Sequence, residues 1–256
     1  MRWDALVAET TPIAATFFAS VILCYLTRRL AVKFGILDVP NASRKQHPSP
    51  VPLFGGLGIF FAFAGAVATD VFLNGEILRS GLPRAHLLAL LGGSLVLIIG
   101  GILDDRFNLA PQVQIIFPII AASVAAFSGI GIEVLTNPFG GVIQIAPNFV
   151  FALTGIWLIG MTYTTKLLDG VDGLATGIGA IGAIIIGLFA LTDVYFQPDI
   201  ARLAFLFGAA LLGFLVWNFS PAKMYLGEGG STLIGFTLGV LAIISGSKIA
   251  TALLVM

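Results

Sequence analysis

The sequence predicts an all-α protein that crosses a membrane several times. Its 256 residues are 58% hydrophobic and only 10% charged, and the mean hydropathy is +1.03. Soluble domains usually carry about 25% charged residues, so too little polar surface is present to coat a water-soluble globule. The 31 glycines suit closely packed transmembrane helices. We therefore expect a polytopic membrane helical bundle with eight complete transmembrane helices and part of a ninth.

The predicted helices follow from the apolar runs, since about 20 mostly apolar residues cross the hydrocarbon core. Eight runs have about that length, near residues 12–30, 53–73, 85–103, 112–132, 147–165, 174–192, 201–218 and 231–247. The first run is preceded by Asp4 and Glu9 and lacks the basic start of a signal peptide. We therefore expect a helix that stays in the mature protein rather than a cleaved signal peptide. Residues 1–256 are interpreted as a single integral membrane domain.

The last residues of the chain are mostly apolar but short. Residues 249–256 follow Lys248 and, as a helix, would cover about 12 Å, less than half of a bilayer core. We expect a ninth span that is cut short, so that the domain lacks its C-terminal part. The alternative is one long tilted helix over residues 231–256.

Charge and cysteine content exclude several classes of protein. The 13 basic residues equal the 13 acidic residues, which argues against a basic face for nucleic acid, and Cys24 is the single cysteine, which excludes a disulfide scaffold. The loops at 28–52, 104–111, 166–173 and 219–230 hold eight of the 13 Lys and Arg residues. This bias places these loops in the cytoplasm and the N-terminus outside.

The acidic residues give a stronger pattern. Six of them lie on the predicted cytoplasmic side, mostly at the ends of spans: Asp38, Asp104, Asp105, Asp169, Asp172 and Glu228. Carboxylates gathered at several helix ends repel each other and are costly to desolvate. Such a cluster is typical of a site that binds a metal ion or a reacting phosphate. The remaining acidic residues are expected as single residues on or near the outer loops.

The first cytoplasmic segment, residues 38–56, contains four prolines that forbid a regular helix. Arg44, Lys45 and His47 offer hydrogen-bond donors to an anion, and the Gly-Gly pair at 55–56 allows close backbone approach. By itself, this segment also fits a membrane-anchoring loop followed by a helix entry.

The second segment carries two adjacent carboxylates, Asp104 and Asp105, at the end of an apolar helix. Adjacent side chains on a helix point about 100° apart, so one can face a metal ion and the other a proton. Acidic residues at a helix C-terminus oppose the macrodipole. This disfavours the alternative of a solvated helix end balanced by Arg106.

The third segment contains Asp169 and Asp172, which lie three residues apart and would share one face of a helix. Each is followed by a glycine, which permits a tight loop and the close approach of a ligand. The alternative is that these Asp-Gly pairs mark ordinary turns.

The fourth segment, residues 218–231, places Glu228 among three glycines just before a new span. Backbone N–H groups at a helix start, with Ser231 as a cap, would form an anion site. Alternatively, Glu228 is a partner of the helix dipole, and Tyr225 is an interfacial aromatic residue rather than a stacking platform for a ligand.

Together, these four segments resemble one family, the polyprenyl-phosphate N-acetylhexosamine-1-phosphate transferases of glycosyltransferase family 4. The resemblance extends from about residue 35 to residue 256, with the motifs in the same order and on the same side of the membrane. The first loop is more similar to the undecaprenyl-phosphate GlcNAc-1-phosphate branch than to the pentapeptide translocase.

The resemblance implies a reaction and a location. A UDP-sugar, UDP-GlcNAc in this branch, would pass its sugar-1-phosphate to a polyprenyl phosphate and release UMP, for cell-wall or surface polysaccharide synthesis. The implied cofactor is Mg²⁺, or Mn²⁺ in its place. The implied setting is the lipid bilayer of the inner (plasma) membrane, with the active-site loops in the cytoplasm and the protein as a homodimer.

The resemblance also implies roles for individual residues. Asp104 and Asp105 would handle the attacking phosphate and its proton, and Asp169 and Glu228 would bind the metal ion. Seven further residues would contact substrates, among them an aspartate and a tyrosine that hold the uracil: Arg44, Lys45, His47, Lys166, Asp172, Asn218 and Tyr225.

Three features depart from the family pattern. Glu228 replaces an Asp, and Tyr163 and Lys166 replace two Asn residues before the third motif. Lys166 lies one turn before Asp169 and would form an ion pair that mimics or blocks a metal ion. The family's His-rich cytoplasmic loop near the C-terminus is absent from the sequence.

Two alternatives to an active transferase stay open at this stage. One is a non-catalytic, degenerate relative that binds lipid phosphate or a partner. The other is a transporter with an acidic site at the membrane midplane. The transporter is disfavoured because the acidic residues gather at one membrane face.

Overall fold

The computed structural model describes residues 9–40, 49–79, 81–136, 141–193 and 195–246. The first half forms α1 (Thr10–Phe34), α2 (Gly55–Thr69), α3 (Arg84–Phe107), a short α4 (Pro111–Gln114) and α5 (Ile116–Phe127). The second half forms α6 (Pro147–Leu168), α7 (Leu174–Ala190), α8 (Pro198–Asn218) and α9 (Glu228–Ser245). A helix is present at each of the eight predicted spans, so the all-α class is confirmed.

Several of these helices have the dimensions of membrane spans. Among the described residues, five helices are long and apolar enough to cross a membrane: Thr10–Phe34, Gly55–Leu73, Arg84–Phe107, Pro198–Asn218 and Glu228–Ser245. The second of these includes most of a π-helical turn that continues α2 over Asp70–Asn74. The protein is therefore a multi-pass membrane protein, whereas the number of eight full crossings stays a prediction.

Two short antiparallel strand pairs connect the helices. β1 (Leu37–Asp38) pairs with β2 (Val51–Pro52) and brings the two ends of the proline-rich loop together just before α2. β3 (Val134–Thr136) pairs with β4 (Val142–Gln144) between α5 and α6. The described chain is otherwise helical or irregular.

The central helix of the bundle is α9, which packs against α2, α3, α6 and α7. Every residue of α9 except Glu228 and Ile244 is buried. A Cβ atom added at Gly101 of α3 would overlap the backbone of Gly229, so these helices touch through glycine. Such close backbone packing drives helix association where lipid competes with apolar side chains. It also fixes the first turn of α9 against the end of α3.

The C-terminal end of α9 settles one alternative. The helix ends at Ser245, and Gly246 adopts a left-handed conformation with φ of 75° that caps it. The alternative of one continuous helix over residues 231–256 is therefore wrong. Residues 247–256, which carry the prediction of a shortened ninth span, lie outside the described residues. Arg44, Lys45 and His47 also lie outside them.

Candidate active site

Three helix ends meet at one end of the bundle. The C-terminus of α3 carries Asp104 and Asp105, α6 ends just before Asp169, and α9 begins at Glu228. The pKa of Asp169 is raised by the charge of Glu228, and the backbone of Glu228 is bonded to Asp105. The predicted convergence of acidic segments that are far apart in sequence is therefore found in the structure.

Asp105 is tied directly to the start of α9. Its Oδ1 accepts a hydrogen bond from the Glu228 N–H at 3.2 Å. Gly227 precedes this N–H with φ of 71°, and a Cβ there would overlap the Leu53 carbonyl and lie 2.6 Å from Asp105 Oδ2. Position 227 consequently requires glycine for both its conformation and its space.

The predicted close approach of the Gly-Gly pair before α2 is confirmed. The Gly55 N–H donates to the Tyr225 carbonyl at 3.0 Å, and the Gly56 N–H donates to the Leu226 carbonyl at 2.8 Å. The Tyr225 N–H in turn donates to the Pro52 carbonyl at 2.8 Å. These backbone bonds join the end of the proline-rich loop to the segment that precedes α9.

The predicted anion site at the start of α9 is different in the structure. Ser231 is not the cap, because Gly227 occupies that position and the Ser231 hydroxyl donates to the Glu228 carbonyl at 3.3 Å. The free N–H of the first turn is directed at Asp105 instead. The anion bound by this helix start is thus a carboxylate of the protein itself.

Asp169 lies in a polar but largely buried position after the last turn of α6. Burial, and to a smaller extent the nearby charge of Glu228, together raise its pKa to about 7. A second negative charge and low solvation both favour the neutral, protonated form of a carboxyl group. The site therefore contains carboxylates that repel each other.

A polar network links α3, α4, α6 and α9. Lys166 Nζ lies 2.7 Å from Glu228 Oε2 and donates to Gln114 Oε1 at 3.1 Å. Gln114 Nε2 donates to Asp104 Oδ1 at 3.0 Å and to the Leu109 carbonyl at 2.9 Å. Lys166 was expected to pair with Asp169, but its acidic partner in the structure is Glu228. Sequence analysis missed Gln114, whose signal was a polar residue at the start of an apolar span.

A cleft opens beside this network between α3, α5, α6 and α9. It is narrow and partly open to solvent. Its polar end is formed by Asp104, Gln114, Lys166 and Glu228, with Tyr163 beside them. Its remaining walls are largely apolar and include Leu97, Gly100, Phe117 and Pro118. The cleft therefore joins an ionic end to an apolar interior.

Asn218 and Asp172 organise the loops around the site. Asn218 is buried; its Oδ1 accepts from the Gly173 N–H at 3.2 Å and the Thr176 hydroxyl at 2.8 Å, and its Nδ2 donates to the Met224 carbonyl at 3.1 Å. Asp172 Oδ2 accepts from the Ala222 N–H at 2.9 Å. Both side chains hold the segment after α8 against the start of α7, and substrate contact by either stays a prediction.

Tyr225 is half-buried on this segment. Burial raises its pKa, and the negative charges of Asp172, Asp38 and Asp169 raise it as well. These electrostatic effects place the tyrosine near all three carboxyl groups. Asp172 and Tyr225 therefore lie on the same side of the site, and their contact with uracil stays a prediction.

The chemistry of the donor set fits a hard cation. Its side-chain oxygens are mostly carboxylates, which Mg²⁺ prefers, and the pKa of Asp169 is raised by burial and by the nearby charge of Glu228. Within the described ranges, however, no three Asp, Glu, His or Cys side chains form a ready metal-binding group. A cation here would complete its shell with water and substrate oxygens.

The sequence is similar to a family and to several named proteins. The model of the glycosyl transferase family 4 matches residues 87–246. The chain is 34% identical over 252 residues to the decaprenyl-phosphate N-acetylglucosaminephosphotransferase of Mycolicibacterium smegmatis, covering 93% of this chain and 59% of that protein. It is 30% identical over 237 residues to a probable undecaprenyl-phosphate N-acetylglucosaminyl 1-phosphate transferase of Bacillus subtilis, covering 90% of this chain and 61% of the relative.

An enterobacterial relative is similar to the same extent. The undecaprenyl-phosphate alpha-N-acetylglucosaminyl 1-phosphate transferase of Escherichia coli K12 is 29% identical over 238 residues, which is 91% of this chain and 61% of that protein. The chain spans about 60% of the length of these relatives. The family match covers more than half of the chain and includes the ends of α3, α6 and α9 that form the site. The chain belongs to glycosyl transferase family 4.

Proposed function

We propose that this protein transfers a sugar-1-phosphate, GlcNAc-1-phosphate, from a UDP-sugar to a polyprenyl phosphate. The observation that carries the proposal is the meeting of Asp105 and Asp169 with Glu228, which itself lines the polar end of a cleft with apolar walls. Such a site suits an acceptor with an anionic head and a hydrocarbon tail. The names of the relatives, which act with undecaprenyl or decaprenyl phosphate, support the same chemistry.

The reaction is a phosphoryl transfer. A phosphate oxygen of the acceptor attacks the β-phosphorus of the UDP-sugar, and the bond from this phosphorus to the oxygen of UMP breaks. The products are polyprenyl-diphospho-sugar and UMP, so atoms and charge balance once the acceptor phosphate loses its proton. Two anions must approach each other, so catalysis depends on positioning and on electrostatic stabilisation.

Two charged groups of the site would act on the acceptor phosphate. The Lys166 ammonium at the polar end of the cleft would bind the acceptor phosphate. Asp105, whose Oδ1 is held by the Glu228 N–H, would take the proton of that phosphate. Asp104 is already bonded to Gln114 and to the Leu109 N–H at 2.8 Å, so its role would be to hold this arrangement in place.

A divalent cation is part of the proposal. Asp169 and Glu228 would hold Mg²⁺, with Mn²⁺ as an alternative, and the ion would supply charge neutralisation of the diphosphate. Glu228 is paired with Lys166 at 2.7 Å, so its carboxylate would have to be shared between the ammonium and the ion. The extra methylene of Glu228 relative to Asp gives the reach for this sharing.

Residues of the neighbouring loops would bind the UDP-sugar donor. Asp172 and Tyr225 would hold the uracil, the latter by stacking, while Arg44, Lys45 and His47 would contact the diphosphate from the proline-rich loop. The site would face the cytoplasm, where nucleotide sugars occur, in a protein of the inner membrane with its N-terminus outside. The product would serve cell-wall or surface polysaccharide synthesis, and a homodimer is the expected assembly.

The proposal is tested by UMP release from purified protein in lipid bilayers. UDP-GlcNAc, undecaprenyl phosphate and Mg²⁺ should together yield UMP, and omission of the lipid phosphate or chelation of the cation should abolish it. Asp105→Asn should reduce the rate by at least about 100-fold, because general-base catalysis contributes on that order. Glu133→Gln, which changes an exposed acid between α5 and α6, is the matched control and should retain the wild-type rate.

One observation favours a second candidate function. Lys166 already occupies one oxygen of Glu228, which is the arrangement expected of a relative that binds lipid phosphate without catalysis. In that case polyprenyl phosphate would bind to the protein, but no UMP would form with any divalent cation. UMP formation by the wild type would exclude this alternative.

A further inference from the structure

Gln114 connects two oppositely charged groups of the site. Its Nε2 donates to Asp104 Oδ1 and to the Leu109 carbonyl, while its Oε1 accepts from the Lys166 ammonium. A flipped amide would turn its oxygen towards the carboxylate and its N–H groups towards the ammonium, and both contacts would be repulsive. The charges on either side therefore fix which end of the amide faces Lys166.

The Lys166 ammonium has partners on two different helices. Gln114 at the end of α4 accepts from it at 3.1 Å, and Glu228 at the start of α9 lies 2.7 Å from it. All three side chains line the polar end of the cleft. Without the amide oxygen, the ammonium would lose this acceptor and shift towards the Glu228 carboxylate.

We propose that Gln114 is a positioning residue that holds the Lys166 ammonium at the polar end of the cleft, partly withdrawn from Glu228, where it binds the phosphate of the lipid acceptor. This inference rests on the proposed function. A neutral amide suits the task, because it stabilises the ammonium without cancelling the charge that an anionic phosphate requires. A carboxylate at the same place would compete with the phosphate and would also repel Asp104.

The first test separates the charge of residue 114 from its size. Gln114→Met keeps the length of the side chain without its amide, and Gln114→Glu keeps an acceptor oxygen but adds a negative charge. We expect the KM for polyprenyl phosphate to rise about tenfold in the Met variant, as for a lost hydrogen bond to a charged group, and further in the Glu variant. The KM for UDP-GlcNAc should change less than about twofold.

The second test asks whether Gln114 acts through Lys166. Lys166→Met removes the ammonium, so adding Gln114→Met to it should raise the acceptor KM little further, and the two effects should be clearly non-additive. Gln112 is exposed on the same short helix and provides the matched controls. Gln112→Met and Gln112→Glu should both retain the wild-type acceptor KM.

The possible results separate this inference from the proposed function. Equal losses in the Met and Glu variants, equal changes in both KM values, or additive effects in the double variant would overturn the positioning role. If the wild type turns over no substrate, the proposed function fails, and the variants are compared by the rise in melting temperature that polyprenyl phosphate causes. The inference is supported if this increase in melting temperature is lost in both Gln114 variants and kept in both Gln112 variants. It is overturned if the Gln114 variants keep the increase or if the wild type shows none.

Discussion

At the end of the bundle opposite the candidate site, Arg202 lies between two buried acids, whereas the lysine at the site pairs with one of several nearby acids. Arg202 Nε is 3.1 Å from Asp70 Oδ1 and 3.3 Å from Glu9 Oε2. Asp70 Oδ2 also accepts from the Ile77 N–H at 2.8 Å. At about 1.5 Å per helical residue, the stretch from Gly56 to Asp70 separates the two regions by about 20 Å.

The two regions differ in how many of their carboxylates contact a cation. At the Arg202 end, one guanidinium contacts both carboxylates, and a backbone N–H donates to one of them. At the site, within the part of the chain that the structure describes, Lys166 pairs with Glu228, while burial and the charge of Glu228 raise the pKa of Asp169 to about 7. Unbalanced carboxylates in a partly desolvated place are costly. The proposed divalent cation would offset this cost at the site, whereas the Arg202 cluster carries its own cation.

The largest effect is expected at the structural cluster. Arg202→Met should leave two buried carboxylates without their cation and lower the free energy of unfolding by about 3–5 kcal/mol. SDS-induced unfolding of the purified protein would measure this loss, and UMP release per folded molecule should persist. Arg79→Met, at an exposed arginine of the same end, is the control. A loss below about 1 kcal/mol would show that the cluster is not structural.

Asp169→Asn should have the opposite effects on stability and on turnover. It removes a carboxylate that Glu228 repels, so stability should be kept or increased, whereas UMP release should fall by about 100-fold. Steady-state rates at saturating substrate, together with SDS unfolding, would separate the two effects. Full turnover by this variant would remove Asp169 from the catalytic site.

Lys166→Met should change how the protein responds to Mg²⁺. Without the ammonium at 2.7 Å, Glu228 is available to the ion, so the concentration of Mg²⁺ that gives half of the thermal stabilisation should fall about tenfold. Melting curves over a Mg²⁺ titration, with Gln112→Met as the control, provide the measurement. An unchanged midpoint would indicate that Glu228 does not bind the cation.

The smallest effect is expected for an exposed ion pair. Glu76 and Arg79 approach to 2.5 Å near the Arg202 cluster, but their side chains are 38% and 71% exposed. Glu76→Gln should change the free energy of unfolding by less than about 1 kcal/mol, because solvent screens such pairs. A larger loss would mean that this pair belongs to the buried cluster.

Several residues show why the sequence could predict only part of the site. Asp104, Asp105, Asp169 and Glu228 were recognisable because a charge at the end of an apolar span is rare. Gln114 was not recognisable, because its role depends on hydrogen bonds to Asp104 and Lys166. The turn after α3 and the end of α6 bring these two groups to it, and the sequence does not show this.

The Arg202 cluster and the start of α9 illustrate the same limit. Glu9 and Asp70 were expected as single outer residues, yet the packing of α1, α2 and α8 places both against one arginine. Ser231 was expected to cap α9, but the left-handed Gly227 begins the helix and Asp105 accepts its first N–H. Both differences depend on contacts between segments that are distant in sequence.

The sequence by itself determined the class of the protein and the helices, because a chain in lipid must satisfy its backbone hydrogen bonds within apolar segments of suitable length. It also determined which acids gather at helix ends. The tertiary structure alone decided which charges lie together: Glu228 beside Lys166, and Asp70 and Glu9 beside Arg202. The physical reason is that Coulomb and desolvation energies depend on distances of a few ångströms across the bundle, which no local pattern in the chain encodes.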